Sequence, residues 1–147
     1  MERKHSVDIS IVIPTYNEAE NIEELLTGIK NSLESAGIVS YEVIVVDDSS
    51  SDGTAEIARN VVERLKIPGR IIVRSGHRGL TSAIMRGFAE SRGKYIVVMD
   101  ADLQHPPETI PGLFEKASNE DLDVVIASRY IKGGGIEGAP IHRRFIS

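Results

Sequence analysis

Apolar positions along the chain fall into two alternating patterns. Five short runs are rich in β-branched and aliphatic residues: Ile9–Ile13, Tyr41–Val46, Arg70–Val73, Tyr95–Met99 and Asp123–Ala127. Ile9-Ser10-Ile11-Val12-Ile13 and Val43-Ile44-Val45-Val46 are apolar almost without interruption. Strands buried on both faces have this composition, which points to a parallel sheet covered by helices. Between the runs, apolar residues recur at helical spacing. Glu18–Ser35 carries Ile22, Leu25, Leu26, Ile29 and Leu33, and Thr54–Leu65 carries Ile57, Ala58, Val61, Val62 and Leu65. Leu80–Ser91 carries Ala83, Ile84, Gly87 and Phe88; Pro107–Ala117 carries Ile110, Leu113, Phe114 and Ala117. Each spacing predicts an amphipathic helix, with Pro107 suited to a first turn. Strand and helix alternate throughout. The expected fold is α/β: right-handed βαβ crossovers building a doubly wound α/β/α sandwich with a mainly parallel central sheet. Gly133-Gly134-Gly135 separates the last run from a final short segment, Pro140–Ser147.

The chain has 147 residues, the size of one domain with a real core. Residues 1–147 are therefore read as a single domain. The formal net charge of −5 lacks the basic footprint that nonspecific nucleic-acid binding needs. The charge is uneven: from Arg129 to the end the charged residues are Arg129, Lys132, Glu137, Arg143 and Arg144, a basic tail on an acidic body. There is no cysteine, which excludes a disulfide framework, a thiolate zinc site and a cysteine nucleophile. Met1–Asp8 is charged without an apolar core, unlike a secretory signal. No apolar run approaches the length of a membrane span, so membrane contact is expected to be peripheral or made by parts absent from this chain.

In open α/β sheets ligands bind beyond the carboxyl ends of the strands. The residues following the five runs are Pro14 to Glu18, Asp47 to Ser50, Arg74 to His77, Asp100 to Gln104, and Ser128 to Tyr130. Polar and acidic residues thus gather at one edge. Asp100 and Asp102 directly follow a buried run, and in extended backbone alternate side chains point the same way. Two hard carboxylates, completed by phosphate oxygens and water, suit Mg²⁺ or Mn²⁺. Gln104 continues the alternation. The alternative is an ordinary acidic loop. Asp47 and Asp48 are costly at the end of an apolar strand unless paired. One can cap the next helix, and the other can accept from a base or ribose. Tyr16 can stack on a base and Glu18 can bond a ring nitrogen; alternatively Asn17 caps the first helix and Glu18 answers its dipole. Arg129, Arg143 and Arg144 suit bidentate phosphate binding or a solvated basic face. His77, His105 and His142 show no metal spacing. Neither G-x-G-x-x-G after the first run nor G-x-x-x-x-G-K-[ST] is present, so dinucleotide and P-loop sites find no support. A receiver-like phosphoryl-transfer site would need a lysine after the fifth run, and none follows it directly.

Four segments occur in a characteristic order: Val12-Ile-Pro-Thr-Tyr-Asn-Glu18, Val45-Val-Asp-Asp-Ser-Ser-Ser-Asp-Gly-Thr54, Met99-Asp-Ala-Asp-Leu-Gln-His-Pro106 and Ser128-Arg-Tyr130. Arg78 to Ala83, Gly87, Gly93 and Arg143 to Ser147 extend the pattern. The set resembles glycosyltransferase family 2, and within it the dolichyl-phosphate (polyprenol-phosphate) mannosyltransferases. The resemblance runs from about Asp8 to Ser147. It implies a GT-A fold and metal-dependent, inverting transfer of mannose from GDP-mannose to dolichyl or polyprenyl phosphate. UDP-glucose as donor to the same lipid, or a noncatalytic nucleotide-sugar-binding module, is the alternative. Pro14, Tyr16, Glu18, Val46, Asp48, Asp100, Ala101, Asp102, Gln104 and Arg129 are the implied donor contacts. Asp100, Asp102 and Gln104 are the implied metal ligands, and Asp102 and Arg129 carry the transfer. Arg143 and Ser147 are placed near the acceptor phosphate. The implied location is cytoplasmic, at the cytoplasmic face of a membrane. Two departures stand out. Ser49 replaces the glycine common after the aspartate pair, and the family's acceptor-binding C-terminal part is expected to be missing.

Overall fold

The computed structural model describes residues 5–76 and 78–127, and the backbone of 136–138. The elements run β1 (Val7–Thr15), α1 (Ile22–Ser35), β2 (Tyr41–Asp47), α2 (Thr54–Leu65), β3 (Gly69–Val73), α3 (Leu80–Glu90), β4 (Gly93–Val98), α4 (Thr109–Asn119), β5 (Val125–Ala127) and β6 (Ile136–Gly138). Strands β1 to β4 form one sheet in the order β3-β2-β1-β4, parallel throughout. The two most apolar runs occupy its centre, as a sheet buried on both faces demands.

Strand parity divides the side chains between two layers. Ile9, Ile11 and Ile13 of β1, with Val43 and Val45 of β2, pack against Leu25, Leu26, Ile29 and Leu33 of α1, Ala58 and Val61 of α2 and Ile110 of α4. The α1 stripe is completely buried. Each such aliphatic side chain contributes roughly 1.5–3 kcal/mol relative to exposure, far more than the few tenths that separate helix propensities. Packing therefore decides where α1 lies. On the opposite face α3 lies over β1 and β2, with Ala83 against Ile44 and Val46. Gly87 lets α3 approach closely: a Cβ there would stand 2.2 Å from Val12 Cγ1. The second face is less fully covered, and Ile96 and Val98 of β4 stay partly exposed.

At the amino end of the sheet, Glu42 is buried and binds three strands together. Its Oε1 accepts from Ser10 Oγ (2.7 Å) and Arg92 N (2.7 Å), and its Oε2 from the Arg92 guanidinium (3.0 Å). Arg70 stands 3.6 Å away on β3. Burial alone would raise the Glu42 pKa. The Ser10 hydroxyl and Arg92 outweigh that, and with Arg70 they hold it below the usual carboxylate value.

The fifth run departs from expectation. Only Val125–Ala127 is extended, and it pairs antiparallel with β6 in a separate two-stranded sheet. An apolar run announces a strand but not its partner. Helix α1 also starts four residues later than the apolar spacing suggested, because Asn21 N and Ile22 N both donate to Glu18 O and close a turn first. No helix among the described residues is long and apolar enough to cross a membrane.

Candidate functional site

The turns after β1 and β2 interlock at the carboxyl edge. Asp47, 1% exposed, accepts from Thr15 Oγ1 (2.7 Å), Ser50 N (2.9 Å) and Ser50 Oγ (2.6 Å). It therefore closes its own turn and does not cap α2. The N-cap position is Gly53; Asp52 just before it braces the turn, its Oδ1 accepting from Thr54 N and its Oδ2 from Ala19 N in the neighbouring turn. The Thr54 hydroxyl, with burial opposing and the Ala19 and Thr54 N–H groups helping, holds the Asp52 carboxyl below its ordinary value. Capping of α1 was one of the two readings open for Asn17. It instead takes a left-handed φ of 55°, a conformation asparagine tolerates, and accepts from Ser51 N (3.1 Å). Glu18 joins the same interlock: its Oε2 accepts from Asn21 Nδ2 and its N–H donates to Thr54 Oγ1. Tyr16 is left half-exposed.

Asp48 has a partner that the sequence reading did not name. Its Oδ1 accepts from Arg74 Nε (2.6 Å) and lies 2.5 Å from Arg74 Nη2, and its Oδ2 accepts from Gly79 N (2.9 Å). Arg74 also donates to Ser82 Oγ and Gly79 O. Ser49 takes φ 54°, the backbone freedom that the usual glycine supplies. Its hydroxyl donates to Arg74 O (2.5 Å). The loop after β3 is thus fastened to the end of β2 at both its ends. Its last side chain, Arg78, crosses to β1: the guanidinium carbon is 4.8 Å from the Tyr16 ring centroid, and Nη1 donates to Tyr16 Oη (3.0 Å). The signal for Arg74 was present in the sequence, as a cation directly after a strand at the edge that also holds Asp48.

At the end of β4, Met99 and Ala101 are buried while Asp100 and Asp102 are exposed. Both carboxylates therefore face outward, beside β1. The extended alternation does not reach Gln104. Ala101 and Asp102 lie in a turn, Leu103 has φ 60°, and Asp102 Oδ1 accepts from Gln104 N (3.0 Å). Among the described residues no group of three His, Cys, Asp or Glu is placed to hold an ion. Two carboxylates suit a hard divalent cation whose remaining ligands come from a bound diphosphate and water. Pro14 and Val46 are register partners one residue short of the edge, both buried. Arg129, Arg143 and Ser147, with His77 and His142, lie outside the described residues.

The family model for glycosyl transferase family 2 matches residues 10–146. The chain belongs to glycosyl transferase family 2. Its fold is of the GT-A type. It is 50% identical over 139 residues to a dolichol-phosphate mannosyltransferase of Pyrococcus furiosus, covering 95% of this chain and 38% of that protein. The dolichol-phosphate mannosyltransferase of Saccharomyces cerevisiae is 44% identical over 146 residues, covering 97% of this chain and 52% of the relative. The chain therefore spans between about two-fifths and half the length of these relatives. Among solved structures, a mannosyltransferase from Pyrobaculum calidifontis in complex with GDP-Man and Mn²⁺ superposes with a TM-score of 0.68 at 27% identity. The match covers 79% of this chain and 34% of that one. The metal and the nucleotide sugar there belong to that protein.

Proposed function

We propose that this chain is the donor-binding part of a glycosyltransferase that moves mannose from GDP-mannose to dolichyl or polyprenyl phosphate, with inversion, at the cytoplasmic face of a membrane. The observation that carries the reading is the pair of outward-facing carboxylates, Asp100 and Asp102, beside the Tyr16–Asp48 edge. It occurs in a chain half identical to a dolichol-phosphate mannosyltransferase. Asp100 and Asp102 would hold Mg²⁺ or Mn²⁺ against the donor diphosphate. A bound divalent ion acts there as a Lewis acid that neutralises charge on the leaving group. Gln104 supports the turn through its backbone. Pro14, Tyr16, Glu18, Val46, Asp48 and Ala101 shape the nucleoside side. Arg129 is proposed to bind phosphate and, with Asp102, to carry the transfer; Arg143 and Ser147 are proposed to meet the acceptor phosphate. That acceptor is an ionised monoester, so the reaction demands orientation and charge stabilisation more than a general base.

A thermal-unfolding panel of GDP-mannose, UDP-glucose, GDP and UDP, with and without Mn²⁺, tests the reading. At ligand a hundredfold above Kd, stabilisation of about 2.7 kcal/mol is expected. Asp102→Ala should abolish the Mn²⁺-dependent part and leave the unliganded melting temperature almost unchanged, since its side chain is exposed. Absence of stabilisation by every nucleotide sugar would refute it.

A further inference from the structure

We propose that Arg78 reads the base of the donor and makes this site select guanine over uracil; the proposal rests on the donor-binding reading above. The first observation is topological. The sheet order β3-β2-β1-β4 places the Asp100–Asp102 turn on one side of β1 and Asp48 on the other. The distance from the end of β4 to the end of β2 is two strand spacings, roughly 10 Å. A nucleotide whose diphosphate lies at Asp102 therefore runs across β1, and its base comes to the Tyr16–Asp48 side. Arg78 stands at that side, although it belongs to the loop after β3 and has to pass over the end of β2 to reach Tyr16.

The second observation is how firmly that position is built. Asp48 holds Arg74 at the start of the loop and the Gly79 N–H at its end. Gly79 has φ 149°, within the region that favours glycine. The hydroxyl of Ser49 adds a third tie, to Arg74 O. The loop is thus tied at Arg74 and at Gly79, and Arg78 lies against the Tyr16 ring. The cation–π contact with that ring, 4.8 Å from guanidinium carbon to centroid, fixes where the guanidinium lies. The bond to Tyr16 Oη uses Nη1, one of the five N–H donors that guanidinium carries in a fixed fork.

The third step is chemical. Guanine presents two adjacent acceptors, N7 and O6, on one edge, and arginine matches them with two parallel N–H donors. Uracil offers no such adjacent pair, because its carbonyls flank an N–H donor. An arginine held beside the base slot therefore favours GDP over UDP. The same reasoning makes Asp48 a positioning residue: three of its acceptor sites are already occupied by Arg74 and Gly79, and it acts on the donor chiefly by holding the loop.

The test uses isothermal titration of the 147-residue chain with Mn²⁺ and GDP, UDP or 7-deaza-GDP, the last lacking the N7 acceptor. The wild type is expected to prefer GDP over UDP and to lose affinity for 7-deaza-GDP. R78A is expected to weaken GDP roughly tenfold or more and to leave UDP unchanged. It should also bind GDP and 7-deaza-GDP alike. R78K keeps the charge without the fork and should behave like R78A toward 7-deaza-GDP. Arg78 is exposed, so the melting temperature of both variants should match the wild type, which separates base reading from structural damage. An unchanged GDP-to-UDP ratio in R78A, or tighter GDP binding once Tyr16 is uncovered, overturns the inference and leaves the donor-binding reading standing. A wild type that binds no nucleotide at all overturns both.

Discussion

Replacing Glu42 with glutamine removes a negative charge buried at the amino end of the sheet while preserving its shape. Glu42 Oε1 serves Ser10 and the Arg92 amide, and Oε2 serves the Arg92 guanidinium with Arg70 behind it. A glutamine can keep the first pair of bonds through its carbonyl. Its amide nitrogen then faces the two guanidinium groups, donor against donor. The Arg92 side chain is 60% exposed and can turn to water, so the loss stays below the cost of a fully buried broken pair. Removal of charge-assisted bonds to a buried acceptor sets it at about 2–3 kcal/mol, or roughly 4–12 °C for a chain of this size. Urea unfolding measured across pH supplies the sharper check. The folded-state pKa of Glu42 is lowered from 4.5, so the ionised carboxylate stabilises the fold fully above that value. The contribution disappears as pH falls through the lower folded value. Wild type and E42Q should differ at pH 7 and converge in acid. A difference that persists unchanged well below pH 4, or none at pH 7, would refute the account.

Gly87→Ala should cost about 1–2 kcal/mol: overpacking against Val12 outweighs the gain in helix propensity. A second substitution, V12A, should recover part of that loss and produce a nonadditive cycle, read from urea midpoints. Arg74→Ala strips the cation from buried Asp48, since the Arg74 side chain is itself only 13% exposed. A loss of roughly 3 kcal/mol is expected, together with weaker GDP binding in the same titrations. R74K should restore little, because lysine cannot supply both the Nε and Nη contacts.

The layered α/β fold and the acidic carboxyl edge of its sheet were legible in the sequence, because both are written in local patterns. Nearly uninterrupted apolar runs such as Ile9–Ile13 are soluble only when covered on both faces, which dictates a parallel sheet between helices. The acidic residues after those runs then had to meet at one edge, whatever the details of packing. Asp100 and Asp102 were placed at that edge this way, and both are exposed on either side of the buried Ala101. Partner choice was another matter. The run ending at Ala127 reads like the others, yet it pairs with Ile136–Gly138 instead of extending the sheet. Asn17 looks like a helix cap, but serves the neighbouring turn. Nothing local ties Asp48 to Arg74, or Tyr16 to Arg78 across a sequence separation of 62 residues. Glu42, inside an apolar run, gives no hint of the arginines that neutralise it. Hydrophobic periodicity records which side of an element is buried. The identity of the group on the other side of a hydrogen bond or ion pair exists only once the strands have taken their order, and in this chain that order is what paired the acidic edge with Arg74 and Arg78.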